Sequence, residues 1–344
     1  MRPALPALSA LLLLSACSAP ATDPGVSTAS VTTASVTASG ETVAVKSGDD
    51  AADDPAIWRN AANPQASLIV GTDKQAGLYV YGLDGKVRDF LDAGRVNNVD
   101  LAETPAGIIV VASDRSDSAN AHVALFRLDP VTAKLTALGR VPAGSGEAYG
   151  LCLWAAPEAL TAFLVVKDGT IRQIALDPAA ATGRIVRTMK LATQSEGCVV
   201  DPRTARLYVA EEDAGIWRFD ARAAGSTVSV KVAGVDSARL FADAEGLAIA
   251  ADGTGNGGWL VASSQGDSSY AVWRLADEAY VGRFRITAGT FGATEETDGI
   301  AIATGSFGPA YPDGLMVAQD GSNQPAQNFK LVSWAAIKAA LKLR

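Results

Sequence analysis

The chain alternates between short apolar, β-branched runs and polar turns, and it does so six times. The first run of each unit begins near Leu68 (LIVGTDK), Ile108 (IIVVASDR), Phe163 (FLVVKDG), Leu207 (LYVAEED), Leu260 (LVASSQGD) and Leu315 (LMVAQDG). A second alternating run follows each across a turn, from Leu78, His122, Ile171, Gly215, Tyr270 and Phe329. Period-two alternation bounded by Gly, Asp and Pro reads as β-hairpins. The first runs recur every 40 to 55 residues, which is the spacing of propeller blades. The expected fold is therefore all-β, a six-bladed β-propeller. Only Trp334 to Arg344, rich in Ala, Leu and Lys, reads as a helix.

A third, shorter strand precedes most hairpins, and its head carries acids: DDPAIW at Asp53, NNVDLAE at Asn97, EAYGLCLW at Glu147, SEGCVV at Ser195, DAEGLAIA at Asp243 and TDGIAIA at Thr297. In a propeller the first strand of each blade lines the central channel, so these heads converge on one mouth. Asp53, Asp54, Asp100, Glu147, Glu196, Asp243, Glu245 and Asp298 are expected to form a ring of carboxylates. Such a ring is costly unless a cation neutralises it. Capping and turn hydrogen bonds are the plainer role for each acid taken singly, but they do not explain recurrence at one phase of the repeat. The donors are hard oxygens, which favour Ca²⁺ or Mg²⁺ over zinc or copper, and several clustered carboxylates suit calcium better. The one histidine, His122, reads as a strand residue and not as a ligand.

The turns after the first runs carry Lys74, Arg115 and Lys167, then Glu211 with Glu212, Gln265 and Asp320. Lys and Arg bind phosphate. One side of the mouth is expected to be basic and the other loaded with metal.

Composition narrows the setting. The 344 residues are 48% hydrophobic and 19% charged, ample for a large core, and the formal net charge of −8 comes without any Lys/Arg-rich run. Nucleic acid is not an expected partner. Residues 1–16 have the form of a signal peptide, and Leu14-Ser15-Ala16-Cys17 resembles a bacterial lipobox, with Cys17 the expected lipidation site. Residues 17–40, almost all Ser, Thr, Ala, Val, Pro and Gly, read as a tether, and 41–344 as the propeller domain. Glu41 to Lys46 alternates like a strand and is expected to close the ring beside the C-terminal runs. Membrane contact is expected only through the lipid. Cys152 and Cys198 read as buried thiols, with a disulfide as the alternative in an oxidising compartment.

Nine segments together resemble the β-propeller phytases from about Glu41 to Trp334: DDPAIW, NNVD, SEG, AEEDAGIW (Ala210 to Trp217), DAEGL, ASSQGDSSYAVW (Ala262 to Trp273), TDGI, QDGSN (Gln319 to Asn323) and QNFKLVSW (Gln327 to Trp334). The resemblance implies a calcium-dependent, 3-phytase-like phosphatase acting on phytate as its calcium complex, as a monomer with several bound Ca²⁺ ions. It implies that Asp53, Tyr149, Glu196, Glu212, Asp243, Glu245 and Gln265 surround the catalytic ions, with Glu211 and Asp168 as further ligands. Asp168 is one methylene shorter than the glutamate expected beside Lys167. Lys74, Arg115 and Lys167 take substrate phosphates, and Asp54, Asp100 and Asp298 fall nearer a structural calcium that ties blades together. The catalytic set is then Tyr149, Lys167, Glu196, Glu212, Asp243 and Glu245. The rival expectations are a gluconolactonase-like propeller, which has no need of three phosphate-binding cations, and a non-catalytic surface propeller whose calcium is structural.

Overall fold

Each apolar run becomes a central strand because its side chains must bury both faces, one against each neighbouring blade. In the structure, a computed structural model that describes Met1 and residues 31–156 and 159–343, six sheets surround a channel, each built on four antiparallel strands, with a fifth strand added to one of them. Cys17 and the signal segment lie outside the described residues. The first strands are Ala52–Trp58, Val96–Thr104, Ala148–Ala156, Ser195–Asp201, Ala244–Asp252 and Ile300–Thr304. Each packs against the next and the sixth against the first, so they form the channel wall.

The core is correspondingly divided into six wedges, one between each pair of adjacent blades. Between blades 1 and 2, for example, Val70 and Val80 meet Val110 and Phe126. The helix Trp334–Leu341 buries Trp334 and Ile337 in the wedge between blades 5 and 6.

Ring closure runs through the N-terminal segment, as the alternation of 41–46 predicts, with different bounds. Only Gly40–Glu41 pairs as a strand, antiparallel to Asn328–Ser333 in blade 6. Backbone hydrogen bonds extend the contact from Ser39 (2.8 Å to the Leu331 carbonyl) to Val45 (3.0 Å to that of Gln327). The tether is shorter than its composition suggests. Thr33–Thr37, inside the Ser/Thr/Ala-rich stretch, is a strand that runs parallel to Arg283–Thr287 at the edge of blade 5 and buries Val36.

The cysteines correct a second expectation. They are not buried thiols: Cys152 and Cys198, on the first strands of blades 3 and 4, are disulfide-bonded within the wedge between those blades, Cα atoms 5.6 Å apart. Their positions, 46 residues apart in sequence, become neighbours only when the two blades pack. Removing the link from a loop of this length is expected to lower the unfolding free energy by about 2–4 kcal/mol. Denaturant unfolding of the Cys152→Ala/Cys198→Ala protein measures it, and an unchanged midpoint would show the bond to be without energetic consequence.

Candidate active site

Glycine after an acid is what lets the strand heads converge. In Glu196-Gly197 and Glu245-Gly246, a Cβ on Gly197 would sit 2.2 Å from the Glu245 carbonyl oxygen, and one on Gly246 would sit 2.6 Å from that of Asp298. Real Cβ atoms do not approach that closely, so any other residue would push the next blade's acid away. The Gly246 amide instead donates to the Asp298 carbonyl at 2.8 Å. As a result Glu196, Glu212 and Glu245 each bring a carboxylate oxygen within 4.8 Å of the others.

These acids open into a cavity of about 600 Å³, which Lys74, Tyr149, Asp243, Gln265 and Asp298 also line. Asp53 stands behind it, 3.2 Å from the Lys74 ammonium. The electrostatics are strained. Burial pushes Glu196 and Glu245 well above the usual carboxylate range, and their mutual repulsion with Asp53, Glu212 and Asp298 adds to it. Burial, then Asp53, raises Asp298 to about 7. Glu212 and Asp243 are also raised, each chiefly by burial. Three buried carboxylate oxygens, Asp53 Oδ1, Glu212 Oε1 and Glu245 Oε2, have no hydrogen-bond partner. An anionic oxygen buried without a partner is expensive. A hard, multiply charged cation fits this donor set, because it satisfies the orphaned oxygens and removes the repulsion together.

The basic residues gather on the adjoining side around one ring. Arg115 lies 6.0 Å and Lys167 5.0 Å from the centre of the Tyr149 ring, within cation–π range. Asn97 links this side to the acids, accepting from Arg115 and donating to Glu196 Oε1 at 2.6 Å. Lys74 is enclosed by Asp50 at 2.8 Å, Asp53 at 3.2 Å and Asp298 at 3.1 Å. Burial works against its charge, but Asp53 and Asp298 outweigh it and hold the ammonium firmly protonated. Burial, with Glu196 and Glu245 next, likewise keeps the Tyr149 phenol neutral, so its hydroxyl is a donor.

Glu211 and Asp168, expected as further ligands, do not line the mouth cavity, and neither do Asp54 and Asp100, expected nearer a separate structural ion. Glu211 is buried, but its Oε1 accepts from the amides of Ala192 and Thr193 and the Thr193 hydroxyl, and its Oε2 accepts from the Trp217 indole at 2.7 Å. It braces blade 4 and does not line the mouth cavity. Asp168 points to solvent from its turn, paired with Lys190 at 3.0 Å and accepting from the Thr170 amide. Asp54 and Asp100 line the channel below the mouth. They join blades directly: Asp54 accepts the Val99 amide of blade 2 at 3.0 Å and Asp100 the Leu153 amide of blade 3 at 2.8 Å. Asp298 does not accompany them; it stays at the mouth, accepting from Gln265 Nε2 at 2.6 Å.

The sequence pattern also misses residues that belong here. Asp50, Gln194 and Glu296 line the cavity from loops, and nothing periodic marks them. Asn97 was detectable, since it occupies the phase of the strand heads.

The raised acids predict an inverted pH dependence. Between the ordinary value of 3.8 and about 7 for Asp298, and over the corresponding windows for Glu196 and Glu245, the folded state holds protons that the unfolded chain has released. Stability therefore falls as pH rises through this window. Chelated protein should melt lower at about pH 8 than at about pH 5. Scanning calorimetry in chelator across that range checks it, and a rise would contradict the strained ring.

The fold and site define a six-bladed propeller that sets a cluster of buried carboxylates at its mouth beside Arg115 and Lys167. The sequence model of the Phytase family matches residues 3–343. The chain is 39% identical over 318 residues to the 3-phytase of Bacillus subtilis (strain 168), covering 86% of this chain and 83% of that one. It belongs to the phytase family, and it is a phosphoric monoester hydrolase. In fold alone it is also similar to a chain in the crystal structure of the mitotic checkpoint complex, with TM-score 0.51 and 15% identity over 96% of this chain and 87% of that chain.

Proposed function

We propose that the protein hydrolyses phytate phosphomonoesters with calcium held by the mouth carboxylates. The observation that carries this is the set of partnerless buried oxygens on Asp53, Glu212 and Glu245, adjoining a basic shelf. Glu196, Asp243, Gln265 and Asp298 complete the donor set. Bound there, calcium would offset the charge of the phosphate and make a water more acidic.

The rest is supplied by the chain. Arg115 and Lys167 take phosphate oxygens, held in place by Tyr149 beneath them. The neutral Tyr149 hydroxyl donates a further hydrogen bond. Lys74 sits where acids and cations meet, able to exchange its carboxylate partners for a phosphate oxygen. Asn97 keeps Arg115 and Glu196 in register. The attacking oxygen comes from water, the P–O bond to the inositol breaks, and the inositol alcohol leaves.

The test is phosphate release from phytate and from a simple aryl phosphate, and ring opening of a lactone, each with calcium and with chelator. Calcium-dependent release from phytate and no lactone opening is expected; lactonase activity alone, or no turnover, would overturn the proposal. Arg115→Ala should act mainly on KM, by about 1.5–3 kcal/mol for a charge-assisted contact.

A further inference from the structure

A buried ion pair outside the mouth ties together the two loops that carry Asp243 and Gln265. Arg283, on the fourth strand of blade 5, is 3% exposed. One guanidinium nitrogen donates to the Ala238 carbonyl at 2.6 Å, in the segment that leads to Asp243. Another pairs with the Asp267 carboxylate and the Ser269 hydroxyl. The guanidinium also lies 5.1 Å from the centre of the Phe241 ring.

Asp267 ends the short turn Gln265–Asp267. Its Oδ1 accepts the hydroxyls of Ser264 and Ser269, each at 2.8 Å. Two hydrogen bonds then join the loops directly: the Phe241 amide donates to the Ser264 side-chain Oγ at 2.8 Å, and the Gln265 amide to the Asp243 carbonyl at 3.0 Å. Asp243 and Gln265 line the mouth cavity; Arg283 and Asp267 do not.

We infer that Arg283 and Asp267 are positioning residues for the reaction, fixing Asp243 and Gln265 at the rim so that the mouth presents its oxygen donors at one spacing. This rests on the reading of the mouth as the calcium-holding site. A charge-paired arginine between two loops transmits its geometry to both, whereas a lysine offers one point charge in place of the planar fork. Groups that orient metal ligands through hydrogen bonds change metal affinity by about 10–100-fold when altered.

The test titrates calcium into the chelated full-length protein, without substrate, and follows melting temperature for wild type, Asp267→Asn, Arg283→Lys and Glu245→Gln. Half-saturating calcium is expected to rise about tenfold or more in Asp267→Asn, and less in Arg283→Lys. A purely structural role would lower the chelated melting temperature and leave the calcium midpoint in place. Wild-type midpoints in both variants, alongside a shifted midpoint in Glu245→Gln, would overturn the positioning role alone. An unmoved midpoint in Glu245→Gln as well would overturn the reading of the mouth beneath it. Asp267→Asn keeps the shape and the hydroxyl contacts, so the result stands even if Arg283→Lys does not fold.

Discussion

Glu245→Ala is expected to turn over phytate about 10²–10³ times more slowly at saturating substrate, the usual consequence of losing one preorganised charge-stabilising group. Glu245 is buried, its Oε2 has no partner, and it lies in the cluster with Glu196 and Glu212. Its removal takes away a charge that only a bound cation would justify keeping there. The loss should fall on kcat, and raised calcium should restore part of it by mass action. Arg115→Ala should behave differently, since the proposal gives Arg115 the substrate phosphate and not the cation; its defect in KM should be indifferent to calcium. Steady-state kinetics over a calcium titration separates the two. Near-wild-type turnover in Glu245→Ala would remove the carboxylate ring from the mechanism.

The second large effect concerns closure. A chain beginning at Asp50 loses the parallel strand Thr33–Thr37, the pairing of Gly40–Glu41, and the burial of Val36, Ala38 and Val45. It also loses the Glu41 carboxylate that meets Lys330 Nζ at 2.6 Å, where the lysine is fully buried. Lys330 would keep Asp320 at 3.1 Å, so losing Glu41, itself 35% exposed, costs less than stranding a buried charge outright. With the apolar loss added, the melting temperature should fall by at least about 10 °C. Equal melting of the shortened and full chains would show that the ring closes without this segment.

The sequence made the propeller legible because the middle strands of every blade are buried on both sides and so announce themselves as apolar runs. The outermost strands did not stand out. Val87–Asp92 and Val230–Gly234 contain no buried residue, so selection for hydrophobicity leaves little trace there. Thr33–Thr37 was hidden for a related reason: it sits at a sheet edge, and its small polar residues are those of a linker.

In the site, the phase of the repeat identified the strand heads but not the direction of each side chain. Glu211 and Glu212 are neighbours on one chain, and consecutive side chains near a strand end face opposite ways. Glu212 reaches the mouth, and Glu211 turns back onto Trp217. Asp53 and Asp54 divide in the same manner, one beside Lys74 and the other onto the next blade's amide. Asp168 shares its turn with Lys167, yet Lys190 holds it outward. Such outcomes depend on partners distant in sequence, as does the Cys152–Cys198 bond.

The central claim is that the mouth works through cations held by its buried carboxylates, and it is tested most directly by adding calcium back to chelated wild-type protein while phosphate release from phytate is recorded. Release should be near background in chelator and rise with calcium to a plateau. Full activity in chelator, or none at any calcium concentration, would contradict the account.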